Sequence, residues 1–167
     1  FVRGQAEDRW GAIAHVDEKL LARYHGAENR IRAHIVNVKP EQPEEEWPTA
    51  RTFRWAIRFV EQNRGNTPFY LYVDSFTPHE TWESPLHYYE MYGDLDAREP
   101  IWLTVPYASA NDHPDIEPQL PSIRANYAGL VTMVDTWFGR LLDTIDRVGL
   151  RDNTLVVFLS DHGTNFA

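Results

Sequence analysis

Eight apolar residues between positions 123 and 148 recur at spacings of three and four, and no other feature constrains the fold as strongly. This period predicts one long amphipathic helix at about 121–148. Pro121 suits the first helical turn, and Gly149 followed by Leu150 predicts a Schellman-type end, in which Leu150 folds back onto the helix. The eight positions are Ile123, Tyr127, Leu130, Val134, Trp137, Leu141, Ile145 and Val148.

Two short apolar runs lie on either side of this helix in the sequence. Residues 69–73 read FYLYV and residues 155–159 read LVVFL. Their length and composition predict strands that are buried on both faces, as in a parallel sheet. Strand, long connection, helix and strand form a parallel βαβ unit, so the predicted fold class is α/β, with a sheet flanked by helices.

Two strands alone do not make a stable parallel sheet. We therefore expect the 167 residues to form a single partial domain, the central part of a larger one.

The remaining elements are predicted from local patterns. Helices are expected at 17–24, from Thr49 to just before Gly65, and at 85–91. Residues 31–38 are apolar enough for a strand. We interpret the acidic connector at 39–48, KPEQPEEEWP, as a solvated loop. We interpret the Pro- and Asp-rich segment at 93–120 as a long excursion on the surface.

Composition narrows the class of protein. Hydrophobic residues make up 43% of the chain and charged residues 25%, which is typical of a globular protein. The formal net charge of -9 argues against broad nucleic-acid binding, because phosphate contacts need a basic face. No apolar run approaches the roughly 20 residues of a membrane span. The absence of cysteine excludes disulfides, thiolate metal sites and cysteine nucleophiles within these residues.

Polar side chains follow both predicted strands. Asp74 and His79 come after the first run, and Asp161 and His162 come directly after the second. Ligands of open α/β sheets bind beyond the carboxyl ends of the strands, so we expect His79 to share one sheet edge with Asp161 and His162. A carboxylate and an imidazole are ordinary ligands of a divalent ion. The alternative is a turn in which Asp161 caps the next element.

His79 lies in the sequence TPHE and also has two interpretations. It is an anion-binding or proton-donating group, or it is a loop histidine bonded to a backbone carbonyl. Within the long helix, Asp135 is interpreted as a buried carboxylate and Gly139 as a position of close packing against the sheet. The other histidines have no partner at an informative spacing and are assigned to core or surface.

Several segments, taken in order, resemble the sulfatase family. Residues 1–10 are similar to the family's segment after its Lys-Trp-His motif. The sequences PHExW and SDHG resemble motifs of the family's bacterial sulfatase and phosphonate monoester hydrolase branch. The other matching segments are PFYLYV with PHE at 68–80, RANYAGL at 124–130, VD at 134–135, GRLL at 139–142, GLRDNT at 149–154 and SDHG at 160–163.

The resemblance implies an alkaline-phosphatase-like fold and hydrolysis of a small-molecule or glycan sulfate ester. Family members use a formylglycine hydrate as nucleophile and one divalent ion. The resemblance implies that Asp161 and His162 ligate this ion, and that His79 contacts the sulfate or protonates the leaving oxygen. An oxygen-rich site favours calcium, and a histidine ligand admits manganese or zinc.

The chain also departs from the family pattern. The early aspartate pair, the Cys/Ser-x-Pro-x-Arg segment and the Lys-Trp-His motif are not found in it, and Thr81 stands where many relatives have proline. We therefore expect the formylglycine, with N- and C-terminal parts of the domain, to lie outside this chain. Two alternatives stay open, a phosphonate or phosphate ester hydrolase of the same superfamily and a non-catalytic α/β module with a vestigial site.

Overall fold

A computed structural model describes residues 16–38, 42–106 and 112–164. The segment 1–10, which contributes to the resemblance, lies outside the described residues. The described part contains α-helices, two short strands and several 3-10 turns, so the α/β class is confirmed. In chain order the helices and strands are α1 (Glu18–Leu21), β1 (Tyr24–His25), α2 (Glu28–Asn37), α3 (Pro48–Asn63), α4 (Leu86–Tyr89), β2 (Ile101–Trp102) and α5 (Leu120–Arg147).

The long helix α5 is confirmed. None of its eight apolar stripe residues is exposed, because that face packs into the core. Its end is a Schellman motif: Leu150 N–H donates to the Ile145 carbonyl and Gly149 N–H to the Asp146 carbonyl, both at 3.0 Å. Gly149 has φ +77°, a conformation that glycine adopts without the steric cost of a β-carbon.

Helix α3 packs along α5 and forms the largest core with it. Phe53, Ala56 and Val60 are buried at the predicted spacing. The helix begins at Pro48 rather than being capped by Thr49, since Trp47 holds the capping position and proline takes the first turn. The Thr49 hydroxyl instead donates to Thr77 Oγ1 at 2.6 Å.

The predicted strands at 69–73 and 155–159 are absent, so the parallel βαβ unit is not confirmed. Neither run forms a ladder in the described part of the chain. Phe69, Leu71 and Val73 pack against the α3–α5 core while Tyr70 and Tyr72 are exposed, which is the alternation of a strand with one covered face. Residues 155–159 are all exposed, by 43 to 89%. A strand is defined by hydrogen bonds to a neighbour, and apolar content alone does not supply one.

The parallel pair of the described structure lies elsewhere. Tyr24 is in register with Ile101 and His25 with Trp102. Strand β2 lies inside the segment 93–120, which was expected on the surface, and this expectation is wrong because Ile101 and Leu103 are almost fully buried.

Residues 31–37 are helical in α2, so the strand predicted at 31–38 is also wrong. Ile31, His34 and Ile35 are buried at spacings of three and four, and this helical period outweighs apolar content.

The acidic connector is not simply a solvated loop. Glu44 Oε1 accepts hydrogen bonds from Trp137 Nε1 at 2.6 Å and from the Tyr88 hydroxyl at 3.1 Å. Its Oε2 lies 3.1 Å from His87 Nε2. Glu45, the next residue, is exposed. Glu44 therefore fastens the connector to α4 and α5.

Two expectations within α5 are also wrong. Asp135 is exposed rather than buried. A β-carbon at Gly139 would meet nothing within 4 Å, so this glycine does not serve close packing. The close approach occurs at Gly129, where a β-carbon would lie 2.5 Å from Ser84 Oγ. Close packing of α5 therefore occurs against the segment before α4.

Candidate active site

His79 lies in a loop that runs from Phe76 to Ser84. Its imidazole is half exposed and lies on the Phe76 ring, with the ring centres 4.4 Å apart. Nδ1 is 2.7 Å from Glu80 Oε2 and 3.0 Å from the Glu80 carbonyl oxygen. A carbonyl only accepts hydrogen bonds, so Nδ1 carries the proton. Nε2 is therefore the ring atom available to a ligand, and both interpretations of this histidine are compatible with the geometry.

Asp161 and His162 lie beside each other on the surface. His162 Nδ1 donates to the Gly163 carbonyl at 2.8 Å, which leaves Nε2 with its lone pair. Asp161 Oδ1 accepts from the His162 backbone N–H at 2.9 Å, and Asp161 Oδ2 lies 3.7 Å from His162 Nε2. The Gly163 carbonyl and then the Asp161 carboxylate raise the pKa of His162, because both favour the cationic ring.

The structure does not join the two halves of the expected site. Among the described residues, no hydrogen bond or ion pair links His79 to Asp161 or His162. No group of three or more His, Cys, Asp or Glu side chains in the described ranges is arranged to hold a metal ion. The shared sheet edge stays a prediction, since neither preceding run lies in a sheet.

A pocket of about 420 Å³ adjoins the His79 loop through Glu80. It lies where the chain leaves β1 and β2, the position at which parallel sheets bind ligands. His25 stacks on Trp102 at this edge, with ring centres 3.7 Å apart, and Arg30 and His113 also line the pocket. The sequence did not reveal this pocket because each strand has only two residues and no detectable period.

The part of the loop that follows His79 is held by hydrogen bonds and by burial. The Trp82 backbone N–H donates to the Leu103 carbonyl at 2.9 Å, and its indole N–H donates to the Pro78 carbonyl at 3.2 Å. Glu83 and Ser84, which follow, are almost fully buried. A buried glutamate has no local sequence signature, because its partners lie far away along the chain.

In the described part of the chain, no helix is both long and apolar enough to cross a membrane.

Comparison with known proteins agrees with the resemblance. The chain is 28% identical over 149 residues to the multifunctional alkaline phosphatase superfamily protein PehA of Trinickia caryophylli, which covers 75% of this chain and 29% of that protein. It is 30% identical over 128 residues to an arylsulfatase of Clostridium perfringens, covering 70% and 26% of the two chains. It is 31% identical over 120 residues to the human N-sulphoglucosamine sulphohydrolase, covering 66% and 24%.

The chain thus spans about a quarter of the length of these curated relatives. No solved structure matches it significantly. The family model described as Sulfatase matches residues 17–166, which is nearly the whole chain. This protein chain therefore belongs to the sulfatase family.

Proposed function

We propose that this chain is part of a metal-dependent sulfuric ester hydrolase, to which it supplies two metal ligands and a substrate-contacting histidine. Asp161 and His162 are the ligands, and His79 is the histidine. The family membership supports a hydrolase. The observation that carries the finer assignment is the hydrogen bond from His162 Nδ1 to Gly163, which leaves Nε2 and the Asp161 carboxylate available side by side.

The donor set fits a divalent ion. Ligand bonds of about 2.0 to 2.6 Å place neighbouring ligands about 3 to 4 Å apart, and Asp161 Oδ2 lies 3.7 Å from His162 Nε2. A ligating histidine commonly donates its other ring N–H to a carbonyl, as His162 does to Gly163. When bound, the ion draws charge from the ester oxygens and favours an ionised nucleophile. We propose calcium, with manganese or zinc as alternatives.

In this proposal His79 supplies a proton to the leaving oxygen. Glu80 contacts the ring through Nδ1, which leaves Nε2 as the atom available to the substrate. In its cationic form Nε2 donates to the departing alkoxide or contacts the sulfate oxygens. The formylglycine nucleophile is proposed to lie outside this chain, which contains neither a cysteine nor a Ser-x-Pro-x-Arg segment.

The substrate is a sulfate ester of a small molecule or a glycan. The pocket beside Glu80 has room for its organic part, and Arg30 and the stacked His25 and Trp102 offer a cation and an aromatic surface there. The relative named as an arylsulfatase supports a sulfate ester.

A phosphonate or phosphate ester hydrolase is the second candidate. The resemblance to a protein named multifunctional alkaline phosphatase superfamily protein favours it, and the same metal ligands serve either ester. The ratio of kcat/KM for an aryl sulfate to that for an aryl phosphonate monoester decides between the two.

We also propose that residues 1–167 are the central part of one catalytic domain. The exposed apolar run at 155–159 and the exposed Tyr70 and Tyr72 support this, because a finished sheet would cover such surface. Backbone hydrogen exchange at 155–159 is expected to be much slower in the full-length protein than in the 167-residue chain. Equal exchange rates would contradict a covering strand.

Activity and metal content of full-length variants test the assignment. Asp161→Ala is expected to lower both the bound metal, measured by elemental analysis, and kcat/KM for an aryl sulfate by at least about 100-fold. Asp152→Ala, at an exposed carboxylate nearby in the sequence, is the control and should change neither. Wild-type metal content in the Asp161 variant would overturn the ligand assignment.

His79→Gln is expected to lower kcat by about 10²- to 10⁴-fold, the usual contribution of a general acid. His87→Gln is its matched control, since His87 is equally half exposed and also lies beside a glutamate. Equal losses in both variants would show that His79 has no special role. A full-length protein that turns over no ester would favour the vestigial module.

A further inference from the structure

Glu83 is a buried carboxylate, with 1% of its side chain exposed. The Tyr24 hydroxyl donates to both of its oxygens, at 3.0 and 3.2 Å. His34 Nε2 lies 2.6 Å from Oε2, and the Arg98 guanidinium lies 3.6 Å from Oε1. A buried charge is tolerated only when it is paired and hydrogen-bonded, and these three partners meet that requirement.

The hydrogen bonds continue from Glu83 through His34 to Thr81. Carboxylate oxygens accept, so His34 Nε2 donates to Glu83, and in the neutral ring Nδ1 accepts from the Thr81 hydroxyl. The distance between Thr81 Oγ1 and His34 Nδ1 is 2.6 Å, as short as the bond on the other side of the ring. Glu83, His34 and Thr81 therefore form one continuous chain of short hydrogen bonds.

This series of hydrogen bonds connects the His79 loop to helix α2. Thr81 and Glu83 follow His79 by two and four residues, whereas His34 lies in the middle of α2. Arg98 Nη2 also donates to the Ser84 carbonyl at 2.8 Å, and the Ser84 N–H donates to Asn126 Oδ1 at 3.1 Å. Just after His79, the loop is therefore hydrogen-bonded to His34, Arg98 and Asn126.

The His79 imidazole is bonded only within its own loop in the described part of the chain. It is half exposed, and among the described residues its ion-pair, hydrogen-bond and ring-stacking partners are Phe76 and Glu80, both in the same loop. Its position relative to the rest of the molecule is therefore set by the backbone of the loop. A displacement of that backbone by about 1 Å would be enough to misplace a reacting group and cost much of the rate.

We propose that Glu83, His34 and Thr81 are positioning residues, which act through the loop backbone to place the His79 imidazole for the reaction. The proposal rests on the proposed function of His79. Thr81 is the informative member, because Thr81→Val removes the hydroxyl that bonds to His34, whereas Thr81→Ser removes only the methyl group. A hydrophobic residue of the same shape at position 81 breaks the chain of hydrogen bonds without removing volume.

The test compares Thr81→Val, Thr81→Ser and Glu83→Gln in the full-length protein. Thr81→Val and Glu83→Gln are expected to lower kcat for an aryl sulfate about tenfold or more while KM changes by less than about twofold. Thr81→Ser, which keeps the hydroxyl, should retain wild-type kcat. The rate at which diethyl pyrocarbonate modifies His79, followed by mass spectrometry, should change in the first two variants and not in the third.

Two matched controls separate positioning from general stability. Thr132→Val removes a hydroxyl that forms a 2.6 Å bond to Tyr92, and Glu44→Gln changes a carboxylate that accepts a 2.6 Å bond from Trp137. Glu44→Gln should lower Tm, whereas Thr132→Val, at an exposed pair, should lower it less; both should leave kcat and the His79 modification rate unchanged. Wild-type kcat and modification rate in folded Thr81→Val would overturn the proposal, as would equal losses of kcat in the controls.

The test also distinguishes this proposal from the assignment of His79. If His79→Gln retains full turnover, the assignment of His79 fails, and the reaction-positioning proposal fails with it. If His79→Gln is inactive and Thr81→Val is not impaired, only the positioning proposal fails.

Discussion

Gly129 of α5 lies against Ser84 so closely that a β-carbon at position 129 would stand 2.5 Å from Ser84 Oγ and 3.2 Å from the Tyr88 carbonyl carbon. The contact presses the long helix onto the segment between the His79 loop and α4. We expect Gly129→Ala to lower the free energy of unfolding by about 1 to 3 kcal/mol, the usual cost of overpacking a core.

Gly139→Ala is the matched control, because position 139 is also inside α5 and has open space around it. Alanine is the better helix former, so this variant is expected to gain about 0.5 to 1 kcal/mol. Urea unfolding of the two variants measures both values. A Gly129 variant as stable as the wild type would mean that Ser84 moves aside without cost.

The Glu44 carboxylate should stabilise the packing of the acidic connector on α4 and α5. Glu44→Gln keeps the shape and removes the charge that strengthens the bonds from Trp137 Nε1 and the Tyr88 hydroxyl. We expect the free energy of unfolding to fall by about 1 to 3 kcal/mol. Glu45→Gln, at the exposed neighbour, should stay within about 0.5 kcal/mol of the wild type. Equal values for the two variants in thermal unfolding would show that Glu44 is effectively solvated.

The two glycines that follow the long helices are expected to differ. Gly149 has φ +77°, and no such conformation occurs at Gly65, although both were predicted to end helices. Gly149→Ala should therefore lower the free energy of unfolding by about 1 to 2 kcal/mol, the cost of a left-handed backbone for a residue with a β-carbon. Gly65→Ala should be nearly neutral. Chemical denaturation of both variants checks this, and a loss confined to Gly65→Ala would contradict it.

Tyr24 should make stability fall at alkaline pH. Burial, and then the nearby Glu83 carboxylate, raise the pKa of Tyr24 well above its ordinary value. Below about pH 10 the phenol is protonated in both the folded and the unfolded state, so its full contribution is present. Above that pH the unfolded chain releases the proton first, and the free energy of unfolding falls by up to about 1.4 kcal/mol per pH unit.

Urea unfolding between pH 8 and pH 11 measures this slope. Tyr24→Phe removes the ionisable group and is expected to flatten the alkaline slope, although it also loses the bonds to Glu83 and starts from a lower stability. Tyr70→Phe is the control, because Tyr70 is exposed and should leave the slope unchanged. An unchanged slope in Tyr24→Phe would contradict the prediction.

The 167-residue chain by itself is expected to turn over no sulfate ester and to bind divalent metal weakly. The proposed ligands Asp161 and His162 number only two, whereas calcium takes six to eight, so water would fill most of the coordination sphere. The assay uses an aryl sulfate on the purified chain, with and without added calcium or manganese. Robust turnover that is lost in Asp161→Ala would contradict two inferences: that the nucleophile lies outside these residues, and that they hold only part of the site.

The sequence by itself determined the elements whose information is local. The stripe of α5 and its Schellman end could be predicted, because spacings of three and four and a following glycine specify them within a few residues. The candidate residues Asp161, His162 and His79 were also found locally, from polar side chains that follow apolar runs. The family followed from the order of short segments along the chain.

Only the tertiary structure decided what distant residues do together. Glu83 meets His34 across 49 positions of sequence, and Trp137 meets Glu44 across 93, and neither pair has a local signature. The same reason explains the errors in the strands. The run 69–73 has the composition of a strand and the run 101–102 has almost no pattern, but only the second finds a hydrogen-bonding neighbour in the described structure, at β1. Composition sets which residues favour burial, whereas a ladder partner is supplied by the fold.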